Sequence, residues 1–198
     1  MKLLLLAPLR IEALAVRSSL PGVKVRRTGM GPRAGDVDLG DADAVGVAGL
    51  CGAVDPDLRA GDIVLATELR SEETGMIPCP DSALLAEPLR RLGLSPKSGP
   101  VYCSPRVLSR EERLALRGTG VVAVDMESAW IARAAGDRPV AVLRVVVDTA
   151  GRRLVSPRTV LAGILGLWRL RQAGAAFVDW VEACKAANLG PMRAREAY

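Results

Sequence analysis

The sequence contains no histidine, and this absence excludes more chemistry than any residue present. Ser-His-Asp and Cys-His nucleophile systems are ruled out, as is every His-ligated metal site. Acid-base work must fall to Asp, Glu, Lys, Cys or Tyr. Aromatics are scarce at 3%, and two of the three tryptophans, Trp168 and Trp180, share one apolar-patterned C-terminal segment. Nucleic-acid partners call for a basic patch interleaved with stacking aromatics, so none is expected. The four cysteines, Cys51, Cys79, Cys103 and Cys184, form no C-x-x-C pair. They read as reduced thiols of a cytoplasmic protein and not as a zinc site or redox dithiol. Long hydrophobic runs are missing too. "MKLLLLAPLRIEALAV" imitates a signal peptide, but Arg10 and Glu12 interrupt it far short of a membrane span. A buried first strand followed by a helix explains it better.

What is present is a chain of 198 residues, 49% hydrophobic, long enough for one well-buried core and read as a single domain, 1–198. Apolar, β-branched runs at 2–7, 23–28, 44–48, 62–67, 99–103, 121–124 and 139–147 read as strands. Several are almost unbroken, which suits strands covered on both faces. Helical patterns fall at 11–19, 82–92, 109–116, 126–135, 158–172 and 175–187. The alternation predicts an α/β fold, a three-layer αβα sandwich with a mixed, largely parallel central sheet. Residues 156–188 read as a C-terminal helical pair, with Ser156-Pro157 as cap and first-turn proline and Gly174 between the helices. Val160, Leu161, Ile164, Leu165 and Trp168 form one apolar face, and Phe177, Trp180, Val181 and Cys184 another. The tail from Asn188 reads as loosely packed. The net charge of +5 lies entirely within residues 150–198.

Several stretches carry candidate chemistry. "TGMGPRAG" (28–35) contains G-x-G-x-x-A, but no helix follows as a dinucleotide fingerprint requires. Its glycines, Gly31 among them, read as a turn that brings backbone close to a ligand or a neighbouring strand. "GVAGLCGAVDP" (46–56) reads as a strand ending in a glycine turn at Gly49, where backbone N–H groups face an anion or sugar, or simply turn. In "VDMES", Asp125 suits a helix start, whereas Glu127 precedes an apolar run and suits a bidentate acceptor for vicinal hydroxyls. Asp148 ends an apolar strand, either as a turn aspartate or as an acid whose pKa apolar neighbours raise. Arg144, four residues earlier, is expected on the same strand face. Glu12 opens a helix, either as a surface residue facing the helix dipole or as a third carboxylate at the same site.

Taken in order, "MKLLLLAPLRIEALAV", "TGMGPRAG", "GVAGLCGAVDPDLRAGDIVLA", "VVAVDMESAWIARAA" and "PVAVLRVVVDTA" resemble the nucleoside phosphorylase and nucleosidase superfamily. They are most similar to the methylthioadenosine/S-adenosylhomocysteine nucleosidases and, within the superfamily, to the hopanoid-associated phosphorylase or adenosylhopane nucleosidase subgroup. The resemblance implies an N-ribosyl hydrolase for a 5′-substituted adenine nucleoside. Glu12 would act on water, Asp148 would protonate the purine at N7, Glu127 would hold the ribose hydroxyls, and Met126 would line sugar and base. With Gly31, Gly49 and Arg144 these complete the expected substrate-binding set. No metal or cofactor is implied; a homodimer is.

Departures bear on the nucleophile and the base. Where phosphorylases carry Arg-x-Gly-Ser or a variant, this chain has Val47-Ala48-Gly49-Leu50, which favours water over phosphate, although Arg10, Arg33 or Arg106 remain as substitutes. Val147 replaces a serine, and Val107 stands where an aromatic would stack on the base. Phosphorolysis, or a non-catalytic nucleoside-binding protein with a degraded base pocket, are the alternatives. The basic, Trp-bearing C-terminal pair either packs on the sheet or rests on an anionic membrane surface.

Overall fold

The leucine run at the N-terminus is buried because it forms an inner strand. In the computed structural model, which describes residues 1–149 and 157–195, β1 (Leu3–Ala7) pairs in parallel with both β2 (Lys24–Arg27) and β3 (Ala44–Ala53). Alternate residues of β1 point to opposite faces. Leu4 and Leu6 enter one core with Val45, Val47, Ile131 and Val142, while Leu5 and Ala7 enter another with Val16, Leu143, Phe177 and Trp180. Each fully buried leucine contributes roughly 1.5–3 kcal/mol relative to exposure. Two cores on either side of one sheet make the layered α/β architecture.

The remaining strands are β4 (Ile63–Ser71), β5 (Gly75–Pro78), β6 (Pro96–Cys103), β7 (Ala123–Asp125) and β8 (Val140–Thr149). The order along the sheet is β2-β1-β3-β7-β6-β4-β5, and β8 pairs with both β3 and β4. Strands β3, β8, β4, β6 and β7 therefore close into a ring, with antiparallel joints at β3/β7 and β4/β8. The sheet is mixed and predominantly parallel, as expected. Extra length allows the closure: β3 runs on through Gly49 to Ala53, where a glycine turn was expected, and β4 continues to Ser71. The short β5, with mostly exposed side chains, gave no apolar signal.

Helices α1 (Arg10–Arg17), α2 (Ala86–Arg91), α3 (Arg110–Ala115), α4 (Ser128–Ala135), α5 (Pro157–Gly174) and α6 (Ala176–Arg195) flank the sheet. Between β2 and β3 the crossover contains only a 3-10 turn, Pro32–Asp36, consistent with the missing helix signal. A single residue separates α5 from α6. Ser156 lies outside the described residues, so its expected capping role does. On α6, Phe177, Trp180, Val181 and Cys184 are buried. The Phe177 and Trp180 rings meet edge to face at 5.9 Å, and Trp180 Nε1 donates to Asp81 O at 2.9 Å. The backbone of α6 stays helical to Arg195, through most of the tail read as loose.

The α5 reading needs correction. Of the apolar face read as packing on the sheet or resting on a membrane, Val160 lies outside the described side chains, and Leu161, Ile164, Leu165 and Trp168 do not pack on the sheet: they are 68%, 61%, 38% and 51% exposed. Helix α5 instead packs through small residues and Leu170. A Cβ on Gly166 would lie 2.6 Å from Val147 Cγ1 and 3.0 Å from Leu50 Cδ2, so a glycine is what admits this close approach.

Candidate active site

Strand β3 ends beside β8 in parallel register, which pairs Gly49 with Arg144 and Gly52 with Asp148. Four residues on β3, Gly49 to Gly52, span five on β8, Arg144 to Asp148, because β8 bulges: Cys51 pairs with Val146 and Gly52 with Asp148, leaving Val147 extra. A bulge bends the strand and re-aims the side chains that follow. Arg144 and Asp148, expected on one face by their spacing, therefore reach different partners.

Arg144 is wholly buried and lies between two acids, with Nη2 at 2.6 Å from Asp125 Oδ2 and Nη1 at 2.6 Å from Glu127 Oε1. Its Nη2 and Nε also donate to Ser128 Oγ, at 2.6 and 3.2 Å. Ser128 Oγ in turn donates to Asp125, whose other oxygen accepts from Cys103 Sγ at 2.6 Å. Asp125 is thus a buried counter-ion and not a solvent-facing helix-start acid. Room for the guanidinium comes from Gly49, since a Cβ there would collide with Arg144 Nη1.

Glu12, in the first turn of α1, is 2% exposed. Its Oε2 accepts from Leu9 N at 2.7 Å and its Oε1 from Leu50 N at 2.8 Å. Burial raises its pKa, opposed by these N–H groups and by Arg144. Burial also pushes the Glu127 carboxyl up, to about 8, with Arg144 pulling down and Asp125 and Glu12 adding repulsion. Three carboxylates share one guanidinium here, so desolvation and mutual repulsion outweigh the single cation.

At the other end, Asp148 Oδ2 accepts from Arg113 Nη1 at 2.7 Å. Arg113, on α3, is 4% exposed. It was not anticipated; on the polar stretch "SREERLA" it reads as a surface residue, and its partner lies 35 residues away. The salt bridge also revises the picture of Asp148 as an acid among apolar neighbours only.

A cavity of about 280 Å³ joins the two ends. Glu12, Met126, Glu127, Arg113 and Asp148 line it, with Met30, Leu50, Val107 and Val147 supplying apolar walls. Three expected substrate contacts stand apart from it. Arg144 is behind Glu127 and does not reach the surface of the cavity; Gly49 makes room for Arg144; Gly31 has a positive φ of 78° and abuts Pro105, leaving its neighbour Met30 on the wall. Among the possible phosphate ligands only Arg106 lines the cavity, and its guanidinium is engaged by Glu112. Among the described residues no group of His, Cys, Asp and Glu is arranged to hold a metal ion.

No curated protein matches the chain. Among solved structures it is similar to the Campylobacter jejuni 5′-methylthioadenosine/S-adenosylhomocysteine nucleosidase, with a TM-score of 0.79 at 16% identity over 92% of this chain and 99% of that one. A mutant Helicobacter pylori nucleosidase with 5′-methylthioadenosine in its active site gives 0.75 at 17% identity, covering 92% of this chain and 98% of that one. Futalosine hydrolase of Helicobacter pylori gives 0.71 at 19%, covering 91% and 96%. These likenesses establish the fold. Residues 23–162, from β2 through β8 and so including both ends of the cavity except Glu12, match the phosphorylase superfamily as a sequence family. With most of its length inside that match, the chain belongs to the phosphorylase superfamily.

Proposed function

We propose that the protein is an enzyme, an N-ribosyl hydrolase that cleaves the N-glycosidic bond of a purine nucleoside carrying a 5′ substituent. The observation that carries this reading is the hydrogen bond from Leu50 N to Glu12 Oε1. The backbone N–H of Leu50, within the Val47–Leu50 stretch where the resemblance puts a phosphorylase's phosphate ligands, is already taken by a buried carboxylate, and a carboxylate repels an anion while it accepts a proton from water. Glu12 takes that proton as the water oxygen bonds to C1′. The C1′–N9 electron pair passes to the base, and the Asp148 carboxyl, as the general acid, delivers a proton at N7. Glu127 accepts from the ribose hydroxyls, and Glu12 faces the positive charge that develops on the sugar. A carboxyl raised by burial suits a general base working near neutrality.

Adenine as the base, and adenosylhopane as the 5′-substituted nucleoside, are the finer readings that the resemblance supports. Release of free base from 5′-methylthioadenosine, followed by chromatography with wild type and Glu12→Gln, tests the assignment: release lost in the variant supports it, and equal release by both overturns it. The exposed stripe of α5, beside exposed Ile11 and Leu14 of α1, supports a homodimer through this face. Sedimentation as a monomer would refute that, and binding of the monomer to anionic liposomes at low salt would give the face to a membrane instead. No helix among the described residues is long and apolar enough to cross a membrane. The free, buried state of all four cysteines supports a cytoplasmic location.

A further inference from the structure

We propose that Arg113 determines base specificity, opening the site to purines that carry a carbonyl at C6. The inference rests on the nucleosidase reading and concerns the end of the cavity that the resemblance leaves unexplained. Arg113 is buried, lines the cavity and holds Asp148 through Nη1, while its Nε is buried without a hydrogen-bond partner. The fold makes deliberate room for it: a Cβ on Gly52, the residue in register with Asp148, would stand 3.1 Å from Arg113 Nη1. An arginine enclosed in this way, on the cavity wall and paired to Asp148 through Nη1, is a built feature of the site and not a solvated charge.

The consequence follows from the edges of the two purines. Adenine presents an acceptor at N7 and an amino donor at C6; a 6-oxopurine presents acceptors at both N7 and O6. A lone aspartic acid, donor on one oxygen and acceptor on the other, complements adenine. Here Arg113 takes the acceptor oxygen Oδ2, so the acid keeps its proton for N7 and the guanidinium stands beside it as a donor for O6, where adenine's amino group would need an acceptor. The gain is largest as the bond breaks, because the electron pair left on the base spreads to O6 and N7, where a fixed cation stabilises it most. Val107, half-exposed on the same cavity wall, offers no aromatic face to favour one purine by stacking, so the polar edge decides.

5′-Methylthioinosine and 5′-methylthioadenosine differ only at C6, and the ratio of their kcat/KM values reads the effect directly. Wild type should cleave the inosine analogue at least a tenth as efficiently as the adenosine analogue. Arg113→Met should lower that ratio by about ten- to hundredfold, the worth of one hydrogen bond to a charged donor. Gly52→Ala, which displaces Nη1 and keeps the arginine, should move the ratio in the same direction by less, and covers the case in which Arg113→Met does not fold. A wild-type ratio below about one in a hundred, or a ratio unmoved by either variant, overturns the proposal. If wild type cleaves neither nucleoside, the nucleosidase reading fails; calorimetry with free hypoxanthine and adenine still decides the base, and tighter binding of adenine counts against Arg113.

Discussion

The two ends of the cavity solve the same problem, a carboxylate held out of water beside an arginine, with opposite charge balances. At the Glu127 end, Glu12, Asp125 and Glu127 surround Arg144 alone, and burial raises both glutamates. At the Asp148 end, one carboxylate meets one guanidinium. Each end depends on a glycine of β3 that leaves the arginine its space, Gly49 for Arg144 and Gly52 for Arg113. The difference teaches a division of labour. An excess of carboxylate suits a region where positive charge builds up on a sugar, and a balanced pair carrying a cation suits one where a base leaves with an electron pair.

Four groups of changes break or sharpen this contrast. The largest effect is expected from removing the acid or the base: Asp148→Asn and Glu12→Gln should each lower kcat by roughly 10²–10⁴, with folding retained, as steady-state kinetics and thermal melts would show together. Next comes Arg144→Met, which strands buried carboxylates and should cost about 3–5 kcal/mol of stability by urea denaturation. Arg113→Met strands only one, partly exposed acid and should cost less. Gly49→Ala should destabilise by about 1–3 kcal/mol through overpacking and Gly52→Ala by less, since its contacts are only tight.

The smallest effect is a pH dependence. Glu127 titrates near 8 in the folded protein and near its ordinary value, about 4.3, when unfolded. Between these values the folded state holds the extra proton, so stability falls as pH rises. The contribution is complete below about 4.3 and lost as pH passes through about 8. Glu12, raised for the same reason, adds in the same direction. Melting temperature should decline from pH 5 to 9 in wild type, and the decline should flatten in Glu127→Gln; an unchanged slope would remove Glu127 as its source.

Much of this fold was legible because it rests on local patterns. The buried run of β1, the alternation of strands and helices, and the apolar face of α6 all follow from periodicity. The α5 stripe was equally periodic and yet faces outward, because helix packing at Gly166 requires a small residue against Leu50 and Val147 and a hydrophobic pattern does not say what covers it. At the site, Glu12, Met126, Glu127 and Asp148 could be picked out and do line one cavity. Their partners could not. A bulge at Val147 defeats counting along β8, Asp125 looks like any helix-start acid, and Arg113 sits in a polar stretch whose burial arises only from tertiary packing. The available signal was the pairing of two β3 glycines with Arg144 and Asp148, which becomes visible only once strand register is known.

The central claim, that water is the nucleophile at a site where Glu12 occupies the backbone N–H of Leu50 on β3, is tested most directly by phosphorus NMR of a reaction with 5′-methylthioadenosine and 5′-methylthioinosine, run with and without inorganic phosphate. The account predicts equal rates of base release in both conditions and no sugar 1-phosphate resonance. Release that requires phosphate, accompanied by that resonance, would contradict it and make the enzyme a phosphorylase.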